Sequence, residues 1–368
     1  MKLLDRLPAR IAFSAAALLA VLAGTAAGAG PAGAVALGPS QPGQNAKIPW
    51  HAFKLLNGWT SASAPQLKTG TPSWSLHNGV VYLRGAVKVT TETNAVIATL
   101  PKFARPAHNL YIQVYTNGDV PGTLEFTVNG DIQAYNGNST AFTSLSGVSF
   151  TIAPIKSHKL ALTNGWISSQ SQWGTGDPAY AVSGGIVYLS GSLKAGAKGK
   201  AAFTLPKAAR PPHKMLLSVY TNDSSTGTVT IGSGGQVFIS GSDAVDFTSL
   251  ANISYPVIGT KWTNFKLQDG WKTGFTAFHT ATPAYAIING VVYYTGTMID
   301  PTGTLGLWTT LPKGVRTAAD VLELEVYTLN GTTGGVGVTD SLGLAASNPF
   351  SNAKGCTSLA GIAYPQSS

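Results

Sequence analysis

The sequence predicts an all-β protein of three tandem antiparallel β-sandwich domains of jelly-roll type. Three observations carry this: one unit recurs three times, charged residues are scarce, and apolar residues alternate in short runs broken by turn dipeptides. The clearest stretch of the unit is Gly79-Val80-Val81-Tyr82-Leu83-Arg84-Gly85, followed by Thr99-Leu100-Pro101-Lys102-Phe103-Ala104-Arg105 and Val114-Tyr115-Thr116. Tyr82 returns as Tyr188 and Tyr293, and Pro101 as Pro206 and Pro312, so the period is close to 105 residues. A unit of that length is the size of an autonomous domain and far exceeds a solenoid repeat. Charged residues make up 11% of the chain, against ~25% in ordinary globular proteins, which disfavours amphipathic helices.

Each element follows in order. The first residues read as a secretory signal: Lys2, Arg6 and Arg10 precede an apolar run at residues 11–22, and small residues then offer A-x-A cleavage sites up to Ala36. The expected division is a signal peptide at 1–34, a flexible linker at 35–49, and repeats at 50–154, 155–258 and 259–368. The apolar run is too short to span a bilayer, so no membrane span is expected in the mature chain. The leader points to a secreted bacterial, extracellular protein.

Within the first repeat, Asn57-Gly58 before Trp59 is a turn signal, matched by Asn164-Gly165 before Trp166 and Asp269-Gly270 before Trp271. The three tryptophans read as core anchors. Next, 72–76 and 80–84 join through Asn78-Gly79 as a hairpin, with counterparts around Gly184-Gly185 and Asn289-Gly290. Residues 110–116 alternate Leu110, Ile112, Val114 against Tyr111, Gln113, Tyr115, as a half-buried strand requires. A hairpin closes around Asn129-Gly130, and each unit ends in Thr-Ser-Leu and a last strand. The single cysteine, Cys356, takes the place of Phe142 and Phe247, which reads as a small buried hydrophobe.

The formal net charge is +9, and cleavage of the leader leaves about +7. Lys and Arg are scattered, which speaks against nucleic acid, whose binders cluster them. No His or Cys cluster has metal-ligand spacing, His108 and His213 read as surface histidines, and no cofactor is expected. No nucleophile elbow or matched carboxylate pair points to an enzyme. Glu323 and Glu325 share one face of the strand 321–327, which reads as a solvent face; Tyr111/Gln113 and Met215/Leu217 lie near the corresponding places.

The candidate ligand contacts are Trp173, in the polar loop 171–176, and Trp308, in a segment that varies between units. Flat aromatic faces in loops suit sugar rings. The recurring Arg105, Arg210 and Arg316, each with a lysine three residues before it, admit two readings: an anion or glycan contact shown three times, or solvated loop residues whose stems pack on an aromatic.

The unit resembles the small β-sandwich domains at the C-terminal ends of bacteriophage tail fibres and baseplate receptor-binding proteins. The resemblance rests on Gly58-Trp59, on 79–85, on Leu100-Pro101 to Arg105-Pro106, and on the closing strand 144–150, and it spans about residues 50–364. Thr317 departs from it where the other units have Pro106 and Pro211, and the leader departs from it too. The resemblance implies a non-catalytic receptor-binding or adhesion role toward a glycan or other cell-surface ligand, and association in threes. The alternative is a tail-fibre-like structural protein whose modules bind one another. Three copies in one chain supply either a row of beads, an internal pseudo-trimer or a homo-oligomer.

Overall fold

In the computed structural model, residues 48–366 are described apart from 64–67, 91–95, 136–137, 153–154, 304–305, 318–320, 340–341 and 346–349. The expected signal peptide and nearly all of the linker lie outside the described residues. Every strand pairing among the described residues is antiparallel, and the fold is all-β.

The first repeat builds a four-stranded sheet in the order His51–Ala52, Ser73–His77, Val80–Arg84, Ser149–Thr151. It faces a seven-stranded sheet in the order Thr60–Ser61, Ala86–Lys88, Thr143–Ser144, Leu110–Thr116, Val120–Phe126, Asp131–Tyr135, Ala98–Thr99. The third repeat has the same two sheets, and its strands Val291–Thr295 and Val321–Thr328 take the places of Val80–Arg84 and Leu110–Thr116. In the second repeat the larger sheet divides into three and four strands, joined by a single bridge between Thr221 and Thr248. Met215–Tyr220 is its counterpart of Leu110–Thr116.

Local chemistry explains these elements. Asn78 and Gly79 both hold positive φ (51° and 77°), as do Gly184/Gly185 and Asn289/Gly290, which is the two-residue turn whose twist matches the flanking strands. Strict alternation buries Leu110, Ile112 and Val114 on one face of their strand. In the first repeat Val81 and Leu83 pack against Ile112, Leu124, Phe126 and Ile132 across the two sheets. Trp59, Trp166 and Trp271 are buried in the cores of their own repeats, as expected. Cys356 is buried beside the closing strand, and burial pushes its thiol up to about 12.

The helical segments are short: Gln170–Trp173, Phe275–Phe278 and Phe350–Gly355, with a few 3-10 turns. No helix among the described residues is long and apolar enough to cross a membrane.

Candidate functional site

The residues of the central hairpin alternate between two surroundings. Val81 and Leu83 enter the core of the first repeat, whereas Val80 and Tyr82 point the other way and meet Ile186, Val291, Tyr293 and Ala363. Tyr188 packs on the same cluster, so the one motif tyrosine of each repeat reaches a common centre. Burial pushes all three phenols above their ordinary value, and their hydroxyls interact with one another. The repeated Val-Tyr is therefore both a core motif and a contact motif.

A second layer forms where Leu110–Thr116, Met215–Tyr220 and Val321–Thr328 each touch the other two. Their non-core positions meet there. Gln113 Nε2 donates to Thr226 Oγ1 at 2.7 Å, and Ser218 Oγ donates to Gln113 Oε1 at 3.2 Å. Ser144 Oγ donates to the Glu323 carbonyl at 2.6 Å, and Ser358 Oγ to the Leu216 carbonyl at 2.8 Å. The Asn252 carboxamide oxygen accepts from the Ser149 N–H at 2.8 Å, and Asn289 Nδ2 donates to the Gly184 carbonyl at 3.1 Å.

Glu323 and Glu325 lie in this layer, which corrects the expectation of a solvent face. Their counterparts are Leu216 and Ser218 rather than Met215 and Leu217, since the last two belong to the core of the second repeat. Both glutamates are half-buried, yet the Glu325 carboxylate oxygens are closed off from water, with the Thr333 hydroxyl beside them but no well-formed hydrogen bond among the described residues. Burial, with Asp119 of the first repeat nearby, pushes the Glu323 carboxyl up to about 8. Glu325 is pushed well above its ordinary value for the same reasons, and the Thr333 side chain, which favours the charged form, does not offset them. Tyr115, also in this group, is raised by burial, then by Glu323 and Asp119.

The expected ligand contacts fare unequally. Trp308 is 0% exposed and lies in the core of the third repeat, with Phe265 at 5.0 Å edge to face. This corrects the reading of Trp308 as a ligand-facing loop residue: its segment is the strand Gly306–Thr310, and the indole fills the sandwich. Trp173 closes the short helix Gln170–Trp173 and is half-buried against Phe247 (5.0 Å) and Tyr111 of the first repeat (5.9 Å). Its ring is engaged in packing between repeats rather than turned to solvent.

Arg105 and Arg210 are loop staples. Each Nε donates to a carbonyl five residues back, Leu100 and Leu205, at 3.1 Å. Each stem crosses a glycine of positive φ, Gly130 or Gly235, where an added Cβ would lie within 3.0 Å of the arginine and the accepting carbonyl oxygen. Arg316 occupies the third loop half-buried, and its Nε has no partner among the described residues. Lys102, Lys207 and Lys313 are exposed beside them. For Arg105 and Arg210 the structure thus packs the stems on backbone rather than on the aromatic ring expected.

An aromatic surface was not foreseen. The exposed His51 ring stacks on Trp74 (4.7 Å, 26° between planes), which is buried in the core, and Phe103, 63% exposed, leans on the same indole at 5.8 Å. His158 and Tyr180 repeat the first pairing at 5.3 Å. The signal was the cross-strand register of His51 with Trp74 and of His158 with Tyr180, invisible until the short first strand of each repeat is placed. A polar depression of about 750 Å³ lies between Gln172, Lys194, Lys198, Asn222 and Asp246. Among the described residues no group of three or more His, Cys, Asp or Glu could hold a metal ion.

No family model, curated protein or solved structure matches the chain.

Proposed function

We propose that the chain is a secreted, non-catalytic adhesion protein in which three modules associate as a pseudo-trimer within one polypeptide. The observation that carries this is the meeting of equivalent residues, Tyr82 with Tyr188 and Tyr293, at a centre that all three repeats share. Three strands in mutual contact below it extend the arrangement. Such packing fixes the outward surfaces in relative orientation, so weak contacts on separate modules act together with an effective concentration in the mM range. The ligand class is a glycan. The exposed rings of His51 and Phe103, braced on the buried Trp74, offer a platform for a sugar ring, and the polar depression beside Gln172 and Asn222 offers groups for hydroxyls.

Small-angle scattering of the mature protein tests the arrangement. The expected radius of gyration is about 20 Å, that of a compact globule of this length, and a clearly elongated particle overturns it. A glycan array tests the ligand, with binding lost in Phe103→Ala as the expected result. A second reading, a tail-fibre-like structural protein whose modules bind only one another, is favoured by the use of Trp173 and Trp308 in packing. An array without any bound glycan, together with a compact particle, selects it.

A further inference from the structure

Where the central strands of neighbouring repeats face each other, the acids on the described strands fall at one seam. Between the first and second repeats, Gln113, Ser218 and Thr226 form a neutral chain of hydrogen bonds. Between the third and first, the matching positions are Glu323 and Glu325, and they face Tyr115 and Asp119.

We propose that this third-to-first seam is a latch loosened at alkaline pH: it is closed while Glu323 and Glu325 are uncharged and is driven open when they ionise against Asp119. The inference rests on the contact between repeats, not on the glycan reading. Two features of geometry carry it. The Glu325 oxygens are closed to solvent, and the Thr333 hydroxyl is too poorly placed to make a well-formed hydrogen bond to them; a buried carboxylate so weakly partnered is costly when charged. Among the described residues the seam itself is held by few directed bonds: Ser144 Oγ to the Glu323 carbonyl, the Val321 N–H to the Lys68 carbonyl at 3.0 Å, and His77 Nε2 to the Asn289 carbonyl at 2.8 Å at the hairpin end.

Among the described residues the surrounding elements supply no compensating charge. The first repeat contributes Tyr111 and Tyr115 from its strand, Asp119 from the turn, and Glu125 from Val120–Phe126, whose carboxylate is taken up by the Tyr111 and Tyr135 hydroxyls. The neighbouring strand Thr332–Thr339 holds only Thr, Gly and Val; Met215–Tyr220 contributes Tyr220, and Lys214 just before it, half-buried, acts on the Cys356 thiol. Thr357–Ser358 has no titratable group, and the helix Phe350–Gly355 brings Lys354, which lies against Gly303. Tyr327 shares the strand with the glutamates, Cys356 follows the helix, and the Lys68 side chain is exposed.

The sign follows from linkage. A carboxyl whose closed-state pKa is raised binds more protons closed than open. The closed form is therefore fully favoured below the ordinary carboxylate range and loses ground as pH climbs through it, until about 8 for Glu323.

Ser144, buried at this seam, and Ser358, buried at the seam between the third and second repeats, give matched reporters. In the full mature chain, Ser144→Cys and Ser358→Cys are alkylated with iodoacetamide at pH 6 and pH 9, with rates read site by site by mass spectrometry and normalised to the unfolded chain. The expected result is protection at residue 144 falling about tenfold or more between the two pH values, one decade per unit of pKa difference, with residue 358 unchanged. In the Glu323→Gln/Glu325→Gln background the fall should vanish. Equal pH dependence at both sites, no pH dependence at residue 144, or its persistence in the double Gln background each overturns the proposal. If the double variant does not fold, Asp119→Asn in the turn replaces it: a smaller fall at residue 144 supports the latch, and an unchanged one overturns it.

Discussion

Ser144 Oγ reaches the main-chain oxygen of Glu323 at 2.6 Å, joining residues 179 apart in sequence, and Ser358 Oγ repeats the contact on the Leu216 carbonyl at 2.8 Å. Both serines belong to the Thr-Ser-Leu motif that closes each unit. The motif serves two ends: its threonine pairs within the sheet, as Thr143 does with Val87, and its serine reaches across to the next repeat.

Removing either hydroxyl leaves a buried carbonyl without its donor. Ser144→Ala and Ser358→Ala are each expected to lower stability by about 1 kcal/mol, the usual net worth of such a bond. The two sites belong to different seams, so the double variant should lose about the sum. Urea unfolding of the four proteins checks this, and a loss no larger than that of the exposed control Ser63→Ala would refute the linking role.

Tyr293 is almost wholly buried at the common centre and packs on residues of the first and second repeats. Tyr293→Ala should cost about 3–5 kcal/mol, the range for deleting a large buried side chain. Because the cavity opens among all three repeats, hydrogen exchange should quicken at Val80–Arg84 and Ile186–Ser190 as well as at Val291–Thr295. Acceleration confined to the third repeat would mean that the repeats are energetically independent.

The strands and hairpins were legible because their causes are local. Asn78-Gly79 specifies its turn, and Leu110, Ile112 and Val114 specify which face of their strand is buried. The other face was not legible. Alternation marks Glu323 and Glu325 as pointing away from their own core, but it carries no information on whether water or another repeat lies beyond. The same limit hid Tyr82, whose neighbours come from positions about 105 and 210 residues away in the chain. For Trp308 the failure was different: variability between repeats was read as a loop, whereas the segment is a strand that buries an indole in place of a smaller residue. Trp173 falls in a polar stretch of sequence that suits an exposed loop, yet the segment forms the short helix Gln170–Trp173, which folds its ring onto Phe247 and Tyr111.

Gly191 ends the Val-Tyr-Leu-x-Gly strand of the second repeat at φ +81°, and a Cβ there would come within 2.2 Å of the Asp177 carbonyl oxygen. Gly85 and Gly296 stand in the same place with similarly close backbone. Gly191→Ala meets both penalties at once, left-handed backbone and a clash with main chain that cannot swing aside. The expected destabilisation exceeds the ~1 kcal/mol of a positive-φ penalty alone. By contrast Gly185→Ala, also at positive φ (82°) but with open space around it, should cost only about 1 kcal/mol. Thermal melts of the pair separate the two terms, and equal losses would show that the close approach contributes nothing.

Trp308 and Phe103 separate packing from ligand contact. Trp308→Ala should lower stability by about 3–5 kcal/mol. Trp308→Phe should be far milder, because the indole Nε1 has no hydrogen-bond partner among the described residues, and removing an unsatisfied buried donor recovers part of the lost packing. Neither change should alter glycan affinity once the folded fraction is accounted for, since the ring has no exposed surface. Phe103 behaves oppositely. It stands 63% exposed on the loop after Pro101, so Phe103→Ala should change stability by no more than about 0.5 kcal/mol, while removing one wall of the platform formed with Trp74 and His51. A glycan that binds the intact protein should bind Phe103→Ala at least several-fold more weakly by calorimetry. Unchanged affinity in that variant would take the platform out of recognition and leave the polar depression at Gln172 and Asn222 to account for binding.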